Sequence, residues 1–177
     1  MRPLLLLGLA ASVFAQGTNP REKPEDYPAY AQARSAWIGG QFTVHSFSGE
    51  GRSYLAKGFL VVELALYPPR GRSVDVHSGN FALHINGRKH EVLPQMLSLV
   101  AAAITHGDAD NTPPGNLTPR QLLLQTALPQ GEHSGPVSGF LYFPYAGKVS
   151  AIRSLELQYE DSILQLRIPP LGRGHTN

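Results

Sequence analysis

Over residues 58–67 the chain reads Gly58-Phe59-Leu60-Val61-Val62-Glu63-Leu64-Ala65-Leu66-Tyr67, with Glu63 the one charged side chain in the run. Neighbouring side chains of an extended strand point to opposite faces, so a stretch apolar at both odd and even positions needs apolar cover on both sides. Such a segment belongs in the middle of a sheet, over a core on one face and under a second layer on the other. Pro68-Pro69 ends it, because neither residue can donate to a ladder.

Shorter segments carry the same extended signature. Phe42 and Val44 alternate with Thr43 and His45, which predicts a strand over 41–47. Phe81-Ala82-Leu83-His84-Ile85 leads into Asn86-Gly87, a pair suited to a two-residue hairpin whose central positions both need positive φ. With that loop, Leu83 opposes His90 and Phe81 opposes Val92, which puts His84 and His90 on opposite faces. Residues 137–143 place Phe140 and Tyr142 on one face, Leu141 and Phe143 on the other. Leu155, Leu157 and Tyr159 precede the turn around Glu160-Asp161, and Leu164, Leu166 and Ile168 follow it. An even-numbered loop puts both sets on one face, so a loop of two or four residues is expected. About seven short strands make the chain all-β, an antiparallel β-sandwich over residues 37–168.

The sandwich is interrupted over 94–132, where Pro94, Pro113, Pro114, Pro119 and Pro129 break up two apolar groups, 96–104 and 122–128. Either group suits a short helix, so the segment reads as an irregular, partly helical insertion. Residues 16–36 are rich in Pro, Glu, Lys, Ala and Gln and read as a flexible lead-in. Residues 169–177 read as a polar tail.

The first fifteen residues have the form of a secretory signal: Arg2, an apolar run over 4–14, and small residues at Val13 and Ala15. Cleavage is expected near Ala15, leaving a periplasmic or secreted, extracytoplasmic protein. As a helix the apolar run spans roughly 16 Å against a hydrocarbon core of roughly 30 Å, so no stable membrane insertion is expected once the signal is removed. The formal charge of +2 falls to +1 without Arg2, and the basic residues are scattered, which argues against nucleic acid as a partner. With no cysteine, the 177 residues hold no disulfide framework, thiolate metal site or thiol nucleophile.

Three stretches taken together, Phe59 with its valine-rich strand, Ser78-Gly79-Asn80-Phe81-Ala82-Leu83-His84-Ile85-Asn86-Gly87, and Gly139-Phe140-Leu141-Tyr142-Phe143-Pro144, resemble the telokin-like immunoglobulin-fold modules of exported bacterial proteins. The resemblance spans roughly residues 37–168 and implies an immunoglobulin-like sandwich. It carries no catalytic residues with it.

Catalytic chemistry finds little support. No serine lies in a glycine-x-serine-x-glycine elbow, the acidic pairs fall in turns, and no cofactor is expected. His106, Asp108 and Asp110 are the weak candidates for a metal, since alternating ligands in a loop can wrap a cation. A metal-dependent hydrolase around His106 is therefore the alternative reading. The leading expectation is a non-enzymatic binding or interaction module for a protein or carbohydrate, with Tyr142 and Tyr145 as possible contact residues and the 94–132 insertion as a place to dock.

Overall fold

The computed structural model describes residues 18–49, 51–87, 90–106 and 117–170. Along the described residues run twelve strands: β1 (Ala29–Gln32), β2 (Trp37–Phe42), β3 (Ser46–Gly49), β4 (Arg52–Ala56), β5 (Phe59–Tyr67), β6 (Val74–Val76), β7 (Phe81–Ile85), β8 (Ile104–His106), β9 (Gly131–His133), β10 (Val137–Pro144), β11 (Leu155–Tyr159) and β12 (Ser162–Leu166). Helix α1 (Leu97–Ala101) precedes β8, and α2 (Pro119–Thr126) precedes β9.

The two-faced run is β5, and it lies inside a four-stranded antiparallel sheet of order β1-β2-β5-β10. Its even positions, Leu60, Val62, Leu64 and Leu66, face a second sheet of order β12-β11-β7. Phe81, Leu83, Leu155, Leu157, Tyr159, Leu164 and Leu166 supply the other half of that core. In it the rings of Phe81 and Tyr159, directly opposed across β7 and β11, stack at 4.6 Å. The protein is thus an antiparallel β-sandwich, as its alternating pattern requires.

The outer face of β5 is covered in two parts. Beneath Val61 lies a second core, in which Phe47 and Tyr54 from the β3-β4 hairpin meet Phe140 and Tyr142 of β10, with Val100 of α1 and Leu122 and Leu123 of α2 closing it. Phe47 stacks on Tyr54 at 5.5 Å and meets Tyr142 edge-on at 5.6 Å. Toward the other end, Tyr27 packs on Ala65 and Tyr67. Helices α1 and α2 of the 94–132 insertion are therefore part of a third layer.

Residues 18–28 form a strap across this outer face. Thr18 bridges Ser138 on β10, Arg21 reaches Glu63 on β5 and Gln41 on β2, and the Tyr27 ring lies over Gly39. The chain then becomes β1 on the far edge. The lead-in expected to be flexible is, from Thr18 onward, built into the first sheet, because Tyr27, Ala29, Ala33 and Ala36 are all buried. Ala29, Ala33 and Ala36 enter the core between the sheets, and their low hydrophobicity hid a packed segment.

Two register expectations change. The strand predicted over 41–47 is broken after Phe42: Val44 has φ 64°, and Ser46 N–H donates to Thr43 O at 3.0 Å. Phe42 and Phe47 thus enter different cores. Asn86 and Gly87 do take positive φ, 56° and 63°, but Leu83 pairs with Val92 rather than His90, a shift of two residues, which keeps Leu83 and Val92 on one face. The Asn86 side chain explains the wider turn, since its Oδ1 accepts from Arg153 N and Ser154 N while its Nδ2 donates to Ala151 O. The β11–β12 turn has the expected even loop: Tyr159 opposes Ser162 across Glu160-Asp161.

Gly139 allows the closest approach of the insertion to the sandwich. A Cβ there would stand 2.4 Å from Leu128 N and 2.5 Å from the Ala127 carbonyl carbon, both backbone atoms that cannot swing aside. Gly139→Ala is expected to cost about 2 kcal/mol in urea unfolding. Gly135→Ala, with open space around it, should stay within about 0.5 kcal/mol of the parent; equal losses at both positions would contradict this packing.

Candidate functional site

Glu63 is the polar exception in β5, and the strap explains it. Its carboxylate lies 3.8 Å from Arg21 Nη2, with its side chain 19% exposed. Burial pushes the Glu63 carboxyl up from its ordinary value, and the Arg21 guanidinium opposes that shift. Arg21 also donates to Gln41 Oε1 and to the Asp26 carbonyl, stacks 4.3 Å over the Tyr27 ring, and accepts at its own carbonyl from the Tyr67 hydroxyl at 2.8 Å. The Arg21 guanidinium and the Tyr67 hydroxyl find their partners inside the cluster. Its chemistry is that of a clasp holding the strap.

A concave feature lies on the opposite side of that sheet, along the free edge of β10. Strand β10 pairs with β5 on one side only, and its outward carbonyls at alternate residues are each met by a different segment. Thr18 N–H donates to Ser138 O at 2.9 Å, Leu128 N–H to Phe140 O at 3.1 Å, and Gln95 N–H to Tyr142 O at 2.8 Å. Between the last two opens a cleft of about 120 Å³, walled by Pro94, Met96 and Leu97 on one side and Ala127 and Leu128 on the other. Phe140, Leu141 and Tyr142 also line it, and Ser78, Gln95 and Gln130 supply its polar atoms. The lining is predominantly apolar. Met96 is 67% exposed, and Leu93 and Leu99, on either side of it in the chain, are exposed as well.

Local sequence sets both walls. Pro94 precludes a ladder donor and turns the chain after the Val92 bridge, while Gln95 supplies the donor that closes on β10. Helix α2 begins with a capping box, Thr118 Oγ1 accepting from Gln121 N while Gln121 Oε1 accepts from Thr118 N, with Pro119 at its first turn. It ends at Ala127, whose extended backbone carries the chain onto the β10 edge.

The expected contact residue Tyr142 is not at the surface: 1% of it is exposed, in the aromatic second core. Alternation placed it with Phe140 correctly, and the insertion then covered both. Burial pushes its hydroxyl up, opposed by the Thr126 hydroxyl beside it, which lies outside ordinary hydrogen-bond geometry. Tyr145 is half-buried against the main core, its hydroxyl donating to the Lys148 carbonyl at 3.2 Å. The backbone of His106 ends β8, opposite Tyr54. Asp108 and Asp110 lie outside the described residues. Among the described residues no three His, Asp or Glu side chains converge as a metal centre would require, and no helix is long and apolar enough to cross a membrane.

The cleft had no signature in the sequence. Its walls lie thirty or more positions apart, and only the Met96 side chain, apolar yet close to Pro94, Gln95 and Ser98, hinted at an exposed apolar position. Comparisons with profiles of known protein families, with curated proteins and with solved structures find no match to this chain.

Burial also pushes the hydroxyls of Tyr27, Tyr67 and Tyr159 above their ordinary value, as it does for Tyr142. Raised folded-state values favour the protonated form, so this stabilisation is whole below about pH 10 and is lost as pH rises beyond it. Phenolate absorbance followed on an alkaline titration should show these tyrosines ionising in one steep step that coincides with loss of the β-sheet circular dichroism. Gradual ionisation of all seven tyrosines around that pH with the sheet intact would contradict their burial.

Proposed function

We propose that this chain is an exported, non-enzymatic interaction module that seats one apolar side chain of a protein partner in the cleft beside β10. The observation that carries the reading is the cleft itself: about 120 Å³, predominantly apolar, with an exposed methionine at its rim. An apolar cavity of about 150 Å³ accommodates a benzene ring, so a cleft of this size suits a single aliphatic or aromatic anchor. Interfaces of stable complexes are centred on such anchors. Methionine at the rim suits the role, because its unbranched, polarisable side chain adapts to the surface it meets.

The export part of the reading rests on the leader-like first fifteen residues, and the resemblance to telokin-like modules of exported bacterial proteins supports it. The polar groups in the cleft, Ser78, Gln95 and Gln130, are neutral amides and a hydroxyl without a base or an acid among them. They suit orientation of a bound group, as expected of a recognition site.

A photo-crosslinking residue placed at Leu99 should capture a discrete protein in the extracytoplasmic fraction. Met96→Asp in the same chain should abolish the adduct while leaving the melting temperature unchanged, since Met96 packs little of its surface. An adduct that persists with Met96→Asp, or one formed equally well from Glu156 on the opposite sheet, would sink the proposal.

A further inference from the structure

A second concavity lies at one end of the sandwich, apart from the β10 cleft, and its chemistry differs. It encloses about 440 Å³ between Ile85, Asn86, His90 and Val92 on one side and the 144–151 loop on the other. Its floor is apolar: Ile85, Val92, Pro144 and Tyr145 line it, and of these Val92 and Tyr145 pack directly on the main core. Asn86 holds the floor rigid through its three hydrogen bonds to the backbone of Ala151, Arg153 and Ser154.

The ionisable side chains among the described residues that line this pocket are His90, Lys148 and Tyr145, with no carboxylate among them. Glu91, between them and the strand, lines a separate polar cleft with Arg34 and Glu160. Among the described residues neither the His90 ring nor the Lys148 ammonium has a hydrogen-bond or ion-pair partner, whereas Arg21 of the strap has Glu63 and Arg34, between β1 and β2, has Asp161 of the β11–β12 turn. An apolar floor with an unpaired ammonium and an unpaired imidazole at its rim is complementary to a molecule with an apolar body and an anionic head. The volume falls within the range of roughly 300–1,000 Å³ typical of small-molecule sites.

We propose that this sandwich-end pocket binds a small amphiphilic carboxylate, its hydrocarbon body against Ile85, Val92 and Tyr145 and its carboxylate between Lys148 Nζ and the His90 ring. The recognition is independent of the protein partner assigned to the β10 cleft. Lysine, as a flexible point charge, accommodates carboxylates on bodies of different length, so the site selects by charge and apolar contact rather than by a fixed fork.

Three matched probes test it on the intact chain by calorimetric titration: 3-phenylpropionate, 3-phenylpropanol and 3-phenylpropylamine. The carboxylate should bind with a dissociation constant of about 1 mM or below, the scale that about eleven non-hydrogen atoms reach at ordinary efficiency. The alcohol should bind at least about tenfold more weakly, the worth of one charge-assisted hydrogen bond, and the amine should not bind. The double variant Lys148→Ala, His90→Ala should bring the carboxylate down to the level of the alcohol, and Met96→Asp should leave it unchanged. Equal binding of the three probes, no binding of the carboxylate at 10-fold above that concentration, or carboxylate binding indifferent to the double variant would each overturn the proposal. The probe series needs no variant, so a variant that failed to fold would leave the test decisive.

Discussion

Everything in this architecture follows from β5 having to be dry on both faces. A strand with Leu60, Val62, Leu64 and Leu66 on one side and Val61, Ala65 and Tyr67 on the other cannot be satisfied by a two-layer sandwich. The inner face is met by β7, β11 and β12 in the ordinary way. The outer face is met by pieces from three separate parts of the chain: the strap, the β3-β4 hairpin, and the two short helices of the insertion. Glu63, the polar residue on that face, is tolerated because Arg21 crosses the sheet just above it. Burying a carboxylate without a counter-charge costs several kcal/mol, so strap and strand constrain each other.

The same assembly decides what kind of recognition remains open. Strand β10 would be an exposed edge, able to add a strand from another molecule. Instead its carbonyls at Ser138, Phe140 and Tyr142 are occupied in turn by Thr18, Leu128 and Gln95. Backbone pairing is closed off, and what is left between two of those segments is a pocket the size of a side chain. Gly139 permits this, since Ala127 and Leu128 pass over it at a distance no other residue would allow.

How much of this was legible depends on whether a residue's burial is decided within its own strand. Strands β5, β7, β10 and β11 each carry three or more large apolar residues in an unbroken alternation or run, β12 continues the pattern with Leu164 and Leu166, and their faces were readable for that reason. Strands β6 and β9 have three residues apiece and a single cross-strand partner, too short for a period to emerge. Over 41–47 a true alternation misled, because Val44 turns the chain between Phe42 and Phe47 and a period of two is blind to a turn. The strap was hidden by its polar composition, the packing of β1 by its alanines, and the burial of Tyr142 by the insertion that covers it. The cleft was least visible of all, since it exists only where residues near 95 and 128 meet across β10. Tyr145 was named as a possible contact residue from the sequence; that it lines a pocket together with His90 depends on the fold bringing the two together.

The central claim is that both sides of β5 are interior, and a matched pair of substitutions measures it most directly. Val61 and Val62 are adjacent, each wholly buried, one facing the aromatic outer core and one the inter-sheet core. Replacing valine by threonine keeps the shape and adds a hydroxyl, which costs about 1–3 kcal/mol where it finds no partner and little where water reaches it. Urea unfolding of Val61→Thr and Val62→Thr should show losses of that size for both. A loss confined to Val62→Thr, with Val61→Thr as stable as the parent, would mean that the outer face is wet and that the third layer does not close.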